Sequence, residues 1–302
     1  MMGWRIVHVS KIDQMSLQLD NLRLQRNDQD IKIPLRDIFA LVIEDLTCKL
    51  TSRLMIELSK NNVLVLLCNQ HYLPECIVQP VSGHASHYRQ MMKQLEWSKE
   101  LKQIAWQQVV MRKIENQSLV MRKNMIENIQ CEKIESLINK VEVGDLSNQE
   151  GQAARLYFNS FFDNEFTRQD SDYIENAALN YGYAILNSAI ARTIVAKGLI
   201  SGLGIHHKGE RNLNNLASDL IEPFRQIVDY FVIKNPPNEY LTKEYRVDLI
   251  NLLHAKVRIE NKMQTVIRVI ELTIDSLLRF FETGNPDKLQ FPDVSKIVLY
   301  EP

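Results

Sequence analysis

The sequence of 302 residues is poor in cysteine, glycine and proline, and each shortage excludes a class of protein. Ten glycines and nine prolines exclude collagen-like or linker-dominated chains. The cysteines contain no Cys-x-x-Cys pair, which excludes a zinc ribbon and argues against a disulfide framework. We therefore expect reduced, buried thiols in a cytoplasmic protein at the four positions Cys48, Cys68, Cys76 and Cys131.

Long apolar runs and a net charge are also lacking. No stretch of about 18 apolar residues occurs, so we expect no membrane-spanning segment. The first ten residues, MMGWRIVHVS, have no signal-peptide core, so we expect no secretory leader. Lysine and arginine number 36 against 37 acidic residues, which argues neither for nor against a nucleic-acid partner.

Patterns of hydrophobicity divide the chain into a β region and a helical region. Alternating or continuous apolar runs predict strands at 4–9, 15–20, 22–26, 31–34, 39–44 and 63–68, with one short helix at 51–60. Helical spacing then predicts helices at 84–113, 125–143, 150–166, 172–199, 212–234, 242–254 and 260–282, followed by an irregular tail at 284–302. The expected class is α+β, with a small β domain at 1–80, a linker at 81–88 and a larger all-α domain at 89–302.

Basic residues outnumber acidic ones in the stretch 89–123. A solvated helix face explains this pattern best on charge alone, and the alternative is a surface that follows DNA phosphates. The basic members are Arg89, Lys93, Lys99, Lys102, Arg112, Lys113, Arg122 and Lys123.

Three separate segments carry side chains that could act together on a phosphodiester. Glu150 opens a predicted helix, where it is either a helix-start residue or a ligand. The glycine-containing segment 201–211 holds His206 and His207, of which we expect one to bind a metal. Asp219 and Glu222 lie on one face of the next predicted helix and need either Arg225 or a divalent cation to neutralise them. Such a mixed set of oxygen and nitrogen ligands suits Mn²⁺ or Mg²⁺.

These segments together resemble the CRISPR-associated spacer-acquisition integrases, the family usually called Cas-one, and the wording resembles its type II branch most. The resemblance spans nearly the whole chain. It is carried by EGQAARLYF from position 150, GLGIHHKG from 202, NLASDLIEPFR from 215 and NAALNYGYAIL at 176–186.

The resemblance implies roles for individual residues. Glu150, His207 and Glu222 match the catalytic metal ligands, with His206 as the fallback for His207. Asp219 matches an acidic position beside the metal. Phosphate contacts are implied for Arg155, Lys208 and Arg225, and the basic stretch would follow DNA through Lys99, Lys102, Arg112 and Lys113.

The implied reaction is a Mg²⁺- or Mn²⁺-dependent transesterification, in which the 3′-hydroxyl of a short DNA fragment attacks a phosphodiester at the leader–repeat boundary of a CRISPR array. The helical domain would be catalytic, and the β domain would form a homodimer. Implied partners are double-stranded DNA and the small adaptation subunit, Cas-two, and in type II systems also the effector nuclease and a ring-shaped accessory protein.

Two other functions stay open at this point. A metal-dependent, structure-specific DNA endonuclease would use the same site with water in place of the 3′-hydroxyl. A helical DNA-binding scaffold without catalysis would treat the three ligands as unrelated residues. Tyr157, Phe158 and Tyr181 could pack in the core or stack on DNA ends, and their helical spacing favours the core.

Overall fold

The structure is a computed structural model that describes residues 3–27, 29–78, 86–162, 166–170 and 172–300. The chain forms two compact units. One takes in the described residues up to position 90 together with 192–199, and the other takes in those of 91–191 and 200–300. Residues 81–85 of the predicted linker lie outside the described residues, and His87 already begins a helix.

The first unit contains two four-stranded sheets. Its strands are β1 (Arg5–Val9), β2 (Gln14–Gln18), β3 (Asn21–Arg26), β4 (Gln29–Pro34), β5 (Ile38–Ile43), β6 (Lys49–Leu50), β7 (Leu64–Cys68) and β8 (Pro74–Val78). One sheet has the order β1-β5-β7-β8, with β8 antiparallel to an otherwise parallel set. The other has the order β4-β3-β2-β6.

Continuous apolar sequence places β5 in the middle of the core, where all six of its residues are buried. The helix α1 (Ser52–Lys60) begins at Thr51, whose hydroxyl accepts a hydrogen bond from the Leu54 amide. Residues 192–199 join this unit through Arg192, which donates to the carbonyl of Asn62 and lies over the ring of Phe39. These two sheets at the N-terminal end, followed by a mainly helical region, confirm the predicted α+β class.

The second unit is mainly helical. Its helices are α2 (His87–Leu95), which leads into it, and α3 (Lys99–Lys123), α4 (Asn128–Ile138), α5 (Gln149–Asn159), α6 (Ile174–Ala196), α7 (Asn215–Leu220), α8 (Arg225–Lys234), α9 (Lys243–Asn251) and α10 (Val266–Thr283). A 3-10 turn, Glu222–Phe224, separates α7 from α8. The long helix α3 has its buried residues between Ala105 and Met121 and contacts α4, α5, α8 and the 3-10 turn.

Two predicted helices are interrupted in the structure. The helix predicted at 84–113 ends after α2 and restarts at Ser98, whose hydroxyl accepts from the Leu101 amide. The helix predicted at 212–234 changes to a 3-10 turn around Pro223, because proline has no N–H to continue the helical ladder.

The prediction of an all-α second domain was wrong at its C-terminal end. Three short strands, β9 (Lys256–Ile259), β10 (Lys262–Thr265) and β11 (Asp293–Val298), form an antiparallel sheet in the order β10-β9-β11. Glu260 and Asn261, both with positive φ, make the two-residue turn between β9 and β10. The predicted irregular tail therefore contains a strand, and the last long helix starts at Val266.

Two expectations from composition can be compared with the structure. All four cysteines are free, but Cys76 is exposed and Cys48 only partly buried, so the expectation of buried thiols was wrong for them. No helix among the described residues is long and apolar enough to cross a membrane.

Candidate active site

Glu150 is held in the first turn of α5 by two residues that precede it. Asn148 adopts a left-handed backbone conformation, and its side chain accepts a hydrogen bond from the Gly151 amide at 3.1 Å. The carboxylate of Asp145 accepts from the amide of Glu150 itself at 3.0 Å. The side chain of Glu150 remains 27% exposed, so it is the more accessible of the acids described below.

Glu222 opens the 3-10 turn after α7, and its side chain is only 4% exposed. The buried amide of Asn116 in α3 fixes this turn, because its Nδ2 donates to the carbonyl of Pro223 at 2.9 Å and to that of Pro292 at 3.0 Å. The turn is therefore attached to α3, one helical turn away from Lys113.

Lys113 joins the two acids. Its Nζ lies 2.5 Å from Oε1 of Glu150 and 2.5 Å from Oε2 of Glu222. The side chain of Lys113 is 8% exposed. The expectation that Lys113 lies on an exposed, DNA-facing surface was wrong, since its ammonium is buried between two carboxylates. Two acids that are 72 positions apart in the sequence thus converge on one cation.

Neighbouring charges keep Glu222 and Lys113 ionised against the effect of burial. Burial alone would raise the pKa of Glu222, but Arg225 and Lys113 outweigh it and lower that pKa to about 2. Arg225 contributes through its Nε, 2.9 Å from Oε1 of Glu222. Burial opposes the charge of Lys113, and the two glutamates outweigh it, so the pKa of Lys113 is raised. The cluster is therefore a largely buried set of charges that neutralise one another.

The loop that carries the two histidines wraps around Asp219 in α7, which is fully buried. The carboxylate of Asp219 accepts hydrogen bonds from the backbone amides of Ile205, His206 and His207. A β-carbon on Gly204 would lie 2.4 Å from the His207 carbonyl oxygen and 2.8 Å from Oδ2 of Asp219, so this approach requires glycine. Asp219 is thus the organising residue of the loop.

The same carboxylate fixes the His207 ring, since Nδ1 of His207 lies 2.7 Å from Oδ1 of Asp219. This hydrogen bond raises the pKa of His207 against the effect of burial, and the charges of Asp219, Glu222 and Glu150 add to the increase. With Nδ1 taken by Asp219, Nε2 is the ring nitrogen left for a ligand. His206 is placed differently: its ring stacks on Trp106 with a centroid distance of 4.2 Å.

Tyr183, in the motif at 176–186, contacts Arg225 and helps to hold it in place. The Tyr183 hydroxyl donates to the buried Asp229, and the Arg225 guanidinium lies 4.5 Å from the centre of the Tyr183 ring. Gly182 allows α8 to approach, because a β-carbon there would lie 2.5 Å from Cγ1 of Val228. Burial raises the pKa of Asp229 to about 6.

The aromatic residues of α5 and α6 belong to the core, as their helical spacing predicted. Tyr157 and Tyr181 are 0% and 1% exposed. Phe158 is half-buried, with its ring 5.2 Å from that of Tyr157.

The remaining predicted phosphate contacts reach solvent. Arg155, Lys208 and Lys99 are exposed, and Lys102 is partly exposed. Arg112 is also partly exposed, and its guanidinium pairs with Glu115 at 3.1 Å. Arg225 is different, because it is paired with Glu222 and its side chain is 30% exposed.

Several residues of the site were missed by sequence reasoning. The positions of Asp145 and Asn148 just before a predicted helix fit helix capping and could have been recognised. Lys113, Asn116, Trp106 and Asp229 gave no such signal, because their roles depend on contacts across the helical unit.

The side chains of Glu150, Glu222 and His207 are of the types that bind a divalent cation, but in this structure they do not surround a single position. Among the residues that the structure describes, no three His, Cys, Asp or Glu side chains are arranged to hold a metal ion together. Glu150 and Glu222 are brought together through Lys113, while His207 stands with Asp219. Two carboxylates that already bind a common cation, with an imidazole nearby, offer the oxygen and nitrogen ligands that Mn²⁺ or Mg²⁺ accepts.

Two solved structures share the fold. One, "Casposase bound to integration product", aligns with a TM-score of 0.74 at 21% identity over 99% of this chain and 95% of that chain. Another, "Cas6-RT-Cas1--Cas2 complex", aligns with a TM-score of 0.73 at 20% identity over 95% of this chain and 36% of that chain. At these identities the likeness establishes the fold alone.

Sequence comparison establishes the family. The family described as "CRISPR associated protein Cas1" matches residues 7–258. A curated protein of Neisseria meningitidis serogroup C (strain 8013), named "CRISPR-associated endonuclease Cas1", is 32% identical over 304 residues, which is 99% of each chain. The chain therefore belongs to the Cas1 family of CRISPR-associated proteins.

Proposed function

We propose that the chain is a metal-dependent DNA integrase that joins the 3′-hydroxyl ends of a short DNA fragment to a CRISPR array at the leader–repeat boundary. Glu150, His207 and Glu222 would hold Mg²⁺ or Mn²⁺. The observation that carries the proposal is the convergence of Glu150 and Glu222 on one buried cation position. His207, fixed by the buried Asp219, supplies the nitrogen ligand.

When bound, the divalent cation would stabilise charge on the scissile phosphate and favour ionisation of the attacking hydroxyl. The chain's own residues prepare this step. Arg225 keeps Glu222 ionised, and Asp219 holds the Nδ1 proton of His207 so that Nε2 is free to coordinate.

The proposed reaction balances without a further reactant. A bond forms between the fragment's 3′-oxygen and the phosphorus, and the bond from that phosphorus to the array strand's 3′-oxygen breaks. The released array strand takes up the proton that the attacking hydroxyl lost. One phosphodiester replaces another, so neither an oxidant nor a covalent protein intermediate is needed.

The similar structures support the partners in this proposal. One of them is a Cas1–Cas2 complex, which supports a Cas2-type subunit as a partner of this chain. The other is a casposase bound to an integration product, which supports integration as the reaction. Double-stranded DNA as the substrate is part of the proposal through the family resemblance. A homodimer through the β domain, the type II effector nuclease and the ring-shaped accessory protein remain part of the proposal through the family resemblance.

The most direct test incubates the chain, a Cas2-type subunit and Mn²⁺ with a labelled DNA fragment and a supercoiled plasmid that carries a leader and repeat. We expect labelled fragment to become joined to the plasmid. A matched fragment that ends in a 3′-deoxy nucleotide should give no joined product, because it lacks the attacking group.

The second candidate, a structure-specific endonuclease, is favoured by the name of the relative from Neisseria meningitidis. An endonuclease would nick the plasmid without joining the label to it. The amount of nicking would be the same with the normal fragment and with the 3′-deoxy fragment. If joining persists in both Glu222→Gln and His207→Ala, the proposed site is wrong. If the original chain and both variants bind DNA but none of them nicks or joins it, the result supports the DNA-binding scaffold without catalysis.

A further inference from the structure

We propose that Lys113 is an internal counter-cation that occupies the metal position, so that a divalent cation binds only by displacing its ammonium group. The inference rests on the proposed function, because it requires a metal ion bound by Glu150 and Glu222. Lys113 lies outside the motifs that carry the family resemblance, and the inference gives it a role in controlling metal binding.

The geometry leaves room for one cation between these acids. Nζ of Lys113 is 2.5 Å from an oxygen of each carboxylate, so the two oxygens are at most twice that distance apart. A Mg²⁺ ion bound by both oxygens would sit at about 2 Å from each. An ammonium and a divalent cation cannot share that position, since their charges repel and their volumes overlap.

Displacement of Lys113 does not leave Glu222 without a cation. Arg225 binds Oε1 of Glu222, whereas Lys113 binds Oε2. The guanidinium is also held over the Tyr183 ring. A divalent ion can therefore replace the ammonium at Oε2 while Arg225 stays in place.

The direction in which the ammonium can leave follows from exposure. The Glu222 side chain is 4% exposed and the Glu150 side chain is 27% exposed, so the pair opens to solvent on the side of Glu150. The flexible stem of a lysine allows its ammonium to swing toward that side. A DNA phosphate bound there would give the displaced ammonium a new anionic partner. Metal and DNA should then each strengthen binding of the other.

The experiment measures Mn²⁺ binding to the DNA-free chain by calorimetry. Lys113→Met removes the charge while keeping a side chain of similar length, and Lys133→Met removes the charge of an exposed lysine in α4 as the control. We expect Lys113→Met to raise the Mn²⁺ association constant by about tenfold or more, because the ion no longer competes with a buried ammonium. Lys133→Met should match the original chain.

Thermal unfolding supplies a second readout. Without metal, Lys113→Met leaves two carboxylates close together without their shared cation, and it should melt below the original chain. Saturating Mn²⁺ should restore most of the melting temperature that Lys113→Met loses. It should raise the melting temperature of the original chain by less. If Lys113→Met does not fold, Lys113→Gln, which is neutral and can still donate hydrogen bonds, replaces it. Duplex DNA should raise the Mn²⁺ affinity of the original chain more than that of the variant.

Two negative results have different meanings. If Mn²⁺ affinity is unchanged in the Lys113 variant but falls in Glu222→Gln, the metal site stands and the role of Lys113 is overturned. If Mn²⁺ affinity is insensitive to Glu222→Gln in both backgrounds, the metal site itself is wrong, and the proposed function falls together with this inference.

Discussion

The imidazole of His207 and the carboxylate of Asp219 form a fixed pair, with 2.7 Å between Nδ1 and Oδ1. The same carboxylate accepts hydrogen bonds from the backbone amides of Ile205, His206 and His207. Asp219 therefore sets both the path of the loop and the orientation of the ring, so that Nε2 is the nitrogen available to a metal.

Replacing Asp219 with asparagine tests this relationship. An amide cannot accept all of these hydrogen bonds, and its NH₂ group would face backbone N–H donors. We expect Asp219→Asn to lower Mn²⁺ affinity by about 10- to 100-fold, the range seen when residues that orient metal ligands are changed. Calorimetry measures the affinity, with the exposed Asp287→Asn as the control. An unchanged affinity would show that Asp219 does not position His207.

Gly204 and Gly202, in the loop that carries the two histidines, provide a test variant and a matched control. At Gly204 a β-carbon would lie 2.4 Å from the His207 carbonyl oxygen, whereas at Gly202 the nearest atom, the Leu213 carbonyl oxygen, is 3.4 Å away. We expect Gly204→Ala to reduce strand joining by about tenfold or more, because a shift of about 1 Å at a reacting group has effects of that size. Gly202→Ala should retain most of the activity. Equal rates in the two variants would contradict the account of this loop.

The DNA contacts that the sequence predicted on α3 can be tested through salt dependence. Of these four residues Lys113 is left out because it is buried, which leaves the exposed Lys99 and the partly exposed Lys102 and Arg112. If these three contact phosphates, replacing them with alanine should flatten the slope of log affinity against log salt concentration by about 2 to 3. Lys133, Lys140 and Lys288 replaced together provide a control with the same change in charge. An identical slope would return this stretch to a solvated helix face.

Asp229 gives a prediction about stability and pH. Burial raises its pKa from 3.8 to about 6, even though Tyr183, Arg168, Arg225 and Lys113 act to lower it. The folded state therefore holds this proton more tightly than the unfolded state does. The resulting stability is complete below about pH 4 and is lost as the pH rises to 6.

Asp229→Asn should therefore be more stable than the original chain above pH 6, by at most about 3 kcal/mol, and the advantage should shrink toward pH 4. Urea unfolding at several pH values measures the difference. A difference that does not change with pH would show that Asp229 does not titrate in this range.

Local sequence patterns encode some features of this fold and not others. The central strand β5 and the start of α1 at Thr51 follow from an apolar run and a capping residue, and both could be predicted. The hairpin of β9 and β10 could not, because its four-residue strands are too short for a period and Glu260, unlike Asn261, is not a typical turn residue.

The candidate site likewise contains residues that the sequence could identify and residues that it could not. Sequence reasoning had already singled out both His207 and Asp219, and the structure places them in direct contact. Lys113 was placed on a DNA surface because charge alone does not reveal burial. Its true environment depends on Asn116, which attaches the turn of Glu222 to α3 through bonds that join distant parts of the chain.

The central claim is that Glu150, His207 and Glu222 hold one divalent cation. The measurement that tests it most directly is anomalous X-ray diffraction from crystals of the chain bound to Mn²⁺ and DNA. The account predicts a single strong peak at about 2 Å from an oxygen of each glutamate and from Nε2 of His207, with the Lys113 ammonium moved away. A peak bound elsewhere, with Lys113 still between Glu150 and Glu222, would contradict it.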